Sequence, residues 1–445
     1  MDLPSSPAPR SRRLLALASH GVNDAYFFLL PVVLPVVIRD LGVRLSGAGL
    51  LVSVFQFLVA VSSYFSGRSA DRLASVRLIA AGFLVAACGV MAAALSRSAA
   101  VLMAAFALAG LGVGTFHPSA YAMFDRLALS RTGSSFALFE LWGSLTLVVI
   151  FFTNGALLGV LGWRGVLLVT GVLGLLTGGL YFFSYRKADG AVSPAAAGRS
   201  GRASRPAPAA GSAFAVPSPA SELDGHRSDR PGPDSAARAQ LWAVLLFLLS
   251  VVLRFFSVMA VVNFLPTYLA LERGLSARVA AYTSGVLFVG GALFCPLVGR
   301  GIDRFGPLPL LAALTGAIGP LVLALSLPLP LWCLVPVLLL LGGAVTGAAP
   351  AQNTMLSVLA SRLGIGAAFG SLMGLMALVA SVSPLIVGFL GERIGLARSF
   401  QLLTLPVLLA LGVLAAMARV ALRRDRQPGG GQGTGVAASR TGGLS

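Results

Sequence analysis

Charge is scarce in this chain. Only 11% of its 445 residues are Asp, Glu, Lys or Arg, against 57% hydrophobic. That is too few polar groups to coat a water-soluble protein of this size, so lipid has to be part of its solvent. Cysteine is nearly absent. Cys88, Cys295 and Cys333 all fall in apolar stretches without paired or metal-like spacing, which leaves packing as their role. No Walker-type phosphate loop occurs, so nucleotide hydrolysis is not built in. A nucleophile motif and a complete metal constellation, which an enzyme would need, are also missing.

What the chain has is long apolar runs. Twelve of them cover residues 14–38, 46–66, 78–96, 99–124, 134–160, 165–184, 240–270, 279–298, 308–328, 330–358, 367–390 and 399–418. Each holds about 20 residues, enough to cross a hydrocarbon core roughly 30 Å thick as helix. The first run is too long for a signal-peptide core and carries Asp24, so it reads as a retained helix and the mature protein is expected to start near residue 1. The fold class is an all-α membrane protein with twelve transmembrane helices in two six-helix bundles. A tail at 1–13 precedes a bundle at 14–184, a linker at 185–239, a second bundle at 240–421 and a tail at 422–445. The linker is rich in Ala, Gly, Pro, Ser and Arg with no hydrophobic period, the composition of a disordered segment.

A net charge of +18 raises the question of nucleic acid, and the positions of the 33 basic residues answer it. They sort by membrane side, with 24 in the tails, the linker and the loops on their side, and eight in the opposite loops. The positive-inside rule then puts both termini and the linker in the cytoplasm of a multi-pass inner (plasma) membrane protein, and the basicity carries topology instead of a nucleic-acid partner.

The halves repeat. Gly-Arg-Ser-Ala-Asp-Arg at 67–72 recurs as Gly-Arg-Gly-Ile-Asp-Arg at 299–304, and the stretch from Gly110 to Pro118 recurs as Gly342 to Pro350, both at an offset of 232 residues. Duplicated membrane proteins of this kind hold their solute site between the repeats near the bilayer midplane. The chain resembles the major facilitator superfamily in the loop from Gly67 to Arg72, in its copy where Gly306 restores a later glycine, in Gly162-Trp163-Arg164, and in Pro384, Gly388 and Gly395. The resemblance implies two bundles with alternating access, and a cytoplasmic gating motif of Gly67, Asp71 and Arg72 copied as Gly299, Asp303 and Arg304. Asp71 and Asp303 would latch the cytoplasmic ends.

Three strongly charged residues sit inside the spans, Asp24, Glu140 and Arg254. Each would cost about 2.5–3.5 kcal/mol in lipid even on the lenient insertion scale, so each must face protein or a watery cavity. Asp24 lies eleven residues before Pro35 and Arg254 twelve before Pro266, pseudo-equivalent places on the first helix of each half. They are expected to face the cavity at one level, either paired or separated by substrate. His20, Asn23 and Asp24 share one helical face by their i, i+3 and i+4 spacing, with Phe27 continuing it. His117 and Glu140 fall at a depth similar to His20, so these groups could form a proton relay, or the histidines could be hydrogen-bonded to nearby carbonyls. His20 with Asp24 has metal-ligand spacing, but no third ligand follows in sequence, so no metal is expected. Gln352 and Asn353 follow the Gly-Pro stretch of span ten as cavity donors. Gln56, Asn154 and Asn263 are the other polar residues of the spans, and Asn263 is expected to serve the carbonyl freed by Pro266.

His20-Gly-Val-Asn23-Asp24 with Pro31 and Pro35, Phe116-His117-Pro118, and Arg254 followed by Phe264-Leu265-Pro266-Thr-Tyr268 resemble the fosmidomycin-resistance branch of that superfamily. This resemblance implies proton-driven export of small, often anionic compounds, with Arg254 as anion partner. Residues 143–155 carry no proline, unlike the Gly-Pro motif of drug-proton antiporters, so proton-coupled uptake stays open as the alternative. An intramembrane enzyme using Asp24, His20 and His117, and a solute sensor, are weaker readings. The expected partners are a small-molecule substrate, protons and the lipid bilayer, with a monomeric chain and no cofactor.

Two outcomes test the organisation. Deleting residues 195–230 should leave insertion and flux at the full-length level, because long flexible connections cost little to vary. Engineered cysteines near residues 200 and 430 should resist an impermeant thiol reagent applied from the periplasmic side; labelling there would reverse the topology.

Overall fold

The computed structural model describes residues 10–70, 75–120, 133–185, 233–359 and 365–425. Lipid offers no partner to a free backbone N–H or C=O, so a spanning segment must satisfy its polar groups internally, and these residues are helical almost throughout. In the first half α1 (Arg10–Phe27) and α2 (Leu29–Leu41) make span one, followed by α3 (Leu45–Ala70), α4 (Ser75–Ala94), α5 (Ala99–Val113) and α6 (Gly133–Tyr185). The second half holds α7 (Pro233–Leu271), α8 (Ala277–Phe305), α9 (Pro307–Ser326), α10 (Leu331–Leu359), α11 (Ile365–Ile394), α12 (Leu396–Leu402) and α13 (Thr404–Asp425).

Eleven stretches among the described residues are long and apolar enough to cross a membrane. One of them, Trp142–Phe183, has 42 residues, about 63 Å of helix and twice a hydrocarbon core. Gly162 divides it with φ 66° and ψ 179°, a backbone conformation essentially closed to residues with a Cβ. Spans five and six meet there, as the sequence expects, and the count is twelve. The membrane-length stretch of span seven is Gln240–Leu271, beside the expected 240–270. The helix that carries it begins earlier, at Pro233, with proline in the first helical turn, where its missing N–H is no loss. The remainder of the linker, residues 186–232, and the tails at 1–9 and 426–445 lie outside the described residues.

The duplication is visible in the packing. A Cβ on Gly110 would collide with the carbonyl of Phe55, and one on Gly342 with the carbonyl of Leu287. Both pairs are related by the same 232-residue offset found in the sequence. Val59 against Gly114 and Gly291 against Thr346 repeat the relation, although the glycine has changed helices. Spans two and four therefore touch backbone to backbone as spans eight and ten do. Such close approach is how helices gain contact in a solvent that gives no hydrophobic drive between them.

A carboxylate tie is duplicated at the same offset. Asp40 accepts hydrogen bonds from Trp163 Nε1 at 2.9 Å and Arg164 Nη1 at 2.7 Å, and Arg164 Nη2 reaches the Ser96 carbonyl at 3.2 Å. The Gly162-Trp163-Arg164 motif thus gathers the ends of spans one, three and six. Glu272, 232 residues after Asp40, accepts from the backbone N–H of Leu396 and from that of Ala397 at 2.9 Å, just after Gly395 turns with φ 86°.

The halves meet at the end remote from the linker. Arg39 donates to the Ala270 carbonyl at 3.0 Å, the Ser46 N–H donates to Glu392 at 3.1 Å, and Arg44 lies 3.5 Å from the same carboxylate. Beneath them Phe28, Phe151 and Phe288 pack ring to ring, with centroids 5.5 and 4.9 Å apart. Near the same level, Gln56 Nε2 donates to Asn263 Oδ1 at 3.0 Å. At this closed end α3 and α11 touch through Gly49 and Gly388, where a Cβ on Gly388 would stand 2.8 Å from the Gly49 Cα.

Gly388→Val should therefore hold this end open. A cysteine placed at Phe288 in a cysteine-free background should then react severalfold faster with an impermeant maleimide added from that side. Gly412→Val, at a glycine with nothing within 4 Å, should leave the rate unchanged.

Candidate functional site

Span one breaks at Phe28 because Pro31 has no N–H to donate to the Phe27 carbonyl and its ring pushes that carbonyl aside. The break leaves α1 as a separate segment whose last two turns carry His20, Asn23 and Asp24 on one face. Span four brings His117 to that face. The Asp24 carboxylate stands between two imidazoles, with Oδ2 3.6 Å from His20 Nε2 and Oδ1 4.0 Å from His117 Nε2. The Asn23 amide Nδ2 is 3.4 Å from His117 Nε2. His20 lies flat over Phe116, 6.1 Å between centroids at 11°, and edge-on to His117 at 5.3 Å. Gly143 of span five completes the wall, since a Cβ there would lie 3.2 Å from His20 Cε1. The His117 side chain remains 43% exposed against 7% for His20 and 13% for Asp24, so the cluster is open on the His117 side.

The second half carries a simpler arrangement. Arg254 on α7 is buried and donates Nη2 to Gln352 Oε1 on α10, and Gln352 Nε2 lies 3.6 Å from Met376 Sδ. Neutral amide oxygen satisfies part of the guanidinium without cancelling its charge, which leaves a cation with donors for a planar anion. Asn353, next along the same helix, is half-buried. The Asn23 to His117 contact links spans one and four as the Arg254 to Gln352 bond links spans seven and ten.

The expected residues are thus brought together in two groups. His20, Asn23, Asp24 and His117 form one, and Arg254 with Gln352 the other. Asp24 and Arg254 make no ion pair with each other among the described contacts, and the described partners of each come from its own half, an arrangement that the alternative expectation of two charges separated by substrate allows. Linear spacing offered no third ligand to His20 and Asp24, yet one ligand atom from each of His20, Asp24 and His117 lies within 4.8 Å of the others. Asn263 also departs from expectation. Its Nδ2 donates to the Met259 carbonyl at 2.7 Å, not to the Val262 carbonyl that Pro266 frees, and its Oδ1 accepts from Gln56 across the halves. The signal for that pair was a glutamine in an otherwise apolar span.

The side chain of Glu140 and the residues Asp71 and Arg72 lie outside the described set. In the copied motif Gly299 has open space around it, Asp303 is exposed without an ion pair among the described residues, and the Arg304 guanidinium lies 5.2 Å from the Phe305 ring centroid.

Comparison with known proteins agrees with this architecture. The sequence profile described as Major Facilitator Superfamily matches residues 16–372. An uncharacterized MFS-type transporter of Mycobacterium tuberculosis strain H37Rv is 28% identical over 177 residues, 38% of this chain and 40% of the relative. Its counterpart in strain CDC 1551 matches over the same extent, so the chain spans about two fifths of the length of these curated relatives. Among solved structures, a bacterial homologue of the human lysosomal transporter Spinster, inward-facing and occupied, superposes with a TM-score of 0.72 at 17% identity, covering 94% of this chain and 98% of that one. A POT family transporter in complex with 5-aminolevulinic acid gives a TM-score of 0.68 at 13% identity over 93% and 97% of the two chains. At these identities the likeness is one of fold. With the profile covering most of its length and the two-bundle fold shared almost end to end, the chain belongs to the Major Facilitator Superfamily.

Proposed function

We propose that this protein is a secondary active transporter that exports small polar or anionic organic compounds by alternating access, driven by proton entry. One observation carries the reading. The first helix of each half brings a strongly charged group inside the bundle, and each has a polar neighbour from the fourth helix of the same half, His117 at 4.0 Å from Asp24 and Gln352 bonded to Arg254. Charges are kept inside membrane bundles mainly along substrate and ion pathways. Asp24, the imidazoles of His20 and His117, and Glu140 supply groups able to carry a proton, and Arg254 supplies the anion contact. The fosmidomycin-resistance-like motifs on spans one, four and seven support export. The proline-free stretch at 143–155 favours uptake as the alternative direction, and an imposed proton gradient of either sign separates the two. In this reading the chain works as a monomer in the inner membrane, with both termini and the linker cytoplasmic.

The coupling follows from charge balance. An ionised Asp24 disfavours an anion in the same cavity, and a protonated one leaves Arg254 as the dominant charge facing it. Susceptibility of a deletion strain to a panel of small anionic antibiotics and metabolites would supply a substrate for vesicle flux. Asp24→Asn should abolish the part of accumulation that depends on the proton gradient while changing substrate affinity little. Arg254→Gln should weaken binding of an anionic substrate about ten- to a hundredfold, the loss of a charge-assisted hydrogen bond of roughly 1.5–3 kcal/mol. Arg254→Lys keeps the charge without the planar fork and should fall between. Full proton-driven accumulation by Asp24→Asn would move the coupling site elsewhere, with Glu140 and His117 next in line.

A further inference from the structure

The distances around Asp24 do not describe a hydrogen-bonded triad. His20 Nε2 to Oδ2 at 3.6 Å and His117 Nε2 to Oδ1 at 4.0 Å both exceed the 2.7–3.2 Å usual for N–H···O bonds. The two imidazoles and the carboxylate nevertheless converge, with one ligand atom from each within 4.8 Å of the others. Ligand atoms about a tetrahedral zinc ion, with bonds of about 2.0–2.2 Å, stand roughly 3.3–3.5 Å apart. The His20 edge, to Oδ2, exceeds that spacing by about 0.1–0.3 Å and the His117 edge, to Oδ1, by about 0.5–0.7 Å, distances that a small side-chain adjustment closes around an ion.

We propose that His20, Asp24 and His117 form a binding site for one divalent transition-metal ion of the zinc class. Two imidazole nitrogens and one carboxylate suit zinc, cobalt or nickel and discriminate against magnesium and calcium, which prefer all-oxygen shells. Both histidines offer the same ring nitrogen, Nε2. The His20 ring is held in its plane by Phe116, and Gly143 leaves room beside it. The Asn23 amide, 3.4 Å from His117 Nε2, would present its oxygen in place of its nitrogen after a simple flip. Three protein ligands leave a coordination position open on the side where His117 is exposed, the pattern of a site that accepts an exchangeable fourth ligand. The assignment is independent of the transport reading, because it concerns binding to the chain without flux.

The test uses the purified full chain in lipid nanodiscs, with Co²⁺ followed by its visible absorption and Zn²⁺ by calorimetry. One ion per chain is expected in the unmodified protein. Asp24→Asn and His117→Ala should each weaken that binding by more than the roughly tenfold that loss of an outer-shell partner costs. His117→Cys should keep the ion and add a thiolate-to-cobalt charge-transfer band that the unmodified protein, with Cys88, Cys295 and Cys333 present, does not show. This variant reads out coordination directly even if His117→Ala fails to fold. Absence of stoichiometric binding in the unmodified protein would overturn the proposal. So would binding that all three substitutions leave unchanged, or a folded His117→Cys protein that binds cobalt without the new band.

Discussion

Helices in lipid gain nothing by hiding apolar surface from one another, so their association depends on how closely their backbones can approach and on the few polar groups that can be shared. In this chain the approach is set by glycine. Gly110 and Gly114 let span four lie against span two, and Gly342 and Gly291 do the same for spans ten and eight. Once these contacts are made, the faces left over are determined. Span four turns His117 toward span one, and span ten turns Gln352 toward span seven. The polar clusters follow from glycine packing within about three turns of them on the same helices.

The two halves solve one problem in two chemical ways. Each has a carboxylate that ties helix ends at the same pseudo-equivalent position, Asp40 through the side chains of Trp163 and Arg164, Glu272 through backbone N–H groups after Gly395. The internal charges diverge further. The first half holds an acid among imidazoles and the second a guanidinium on an amide, so the first helices of a duplicated scaffold carry opposite charges, two residues out of register with the 232-residue repeat.

Contact between the halves is concentrated at one end. Small residues at Gly49 and Gly388 carry it, with Glu392 and Arg39 outside them and the Phe28, Phe151 and Phe288 rings inside. The Gln56 to Asn263 bond is the deepest of these described polar crossings. Because that pair is buried, separating it means rehydrating two amides, whereas the exposed Arg44 and Glu392 pair exchanges readily with water and contributes little.

The sequence by itself determined the twelve spans, the division into two halves and the 232-residue repeat, because hydrophobic length and duplication are properties of the linear chain. It also singled out every side chain of both clusters, since a charge or imidazole in an apolar run stands out wherever it points. It could not tell which of them meet. His117 lies 93 residues from Asp24 and Gln352 lies 98 from Arg254, and whether such residues touch depends on helix rotation and on the glycine contacts that set it. The expectation for Asp24 and Arg254 left pairing and separation by substrate both open for that reason, and Asn263 found Gln56 on another bundle instead of serving only its own helix. Tertiary structure alone decided these partnerships, because a helix face acquires a neighbour only when a second backbone comes close enough to supply one.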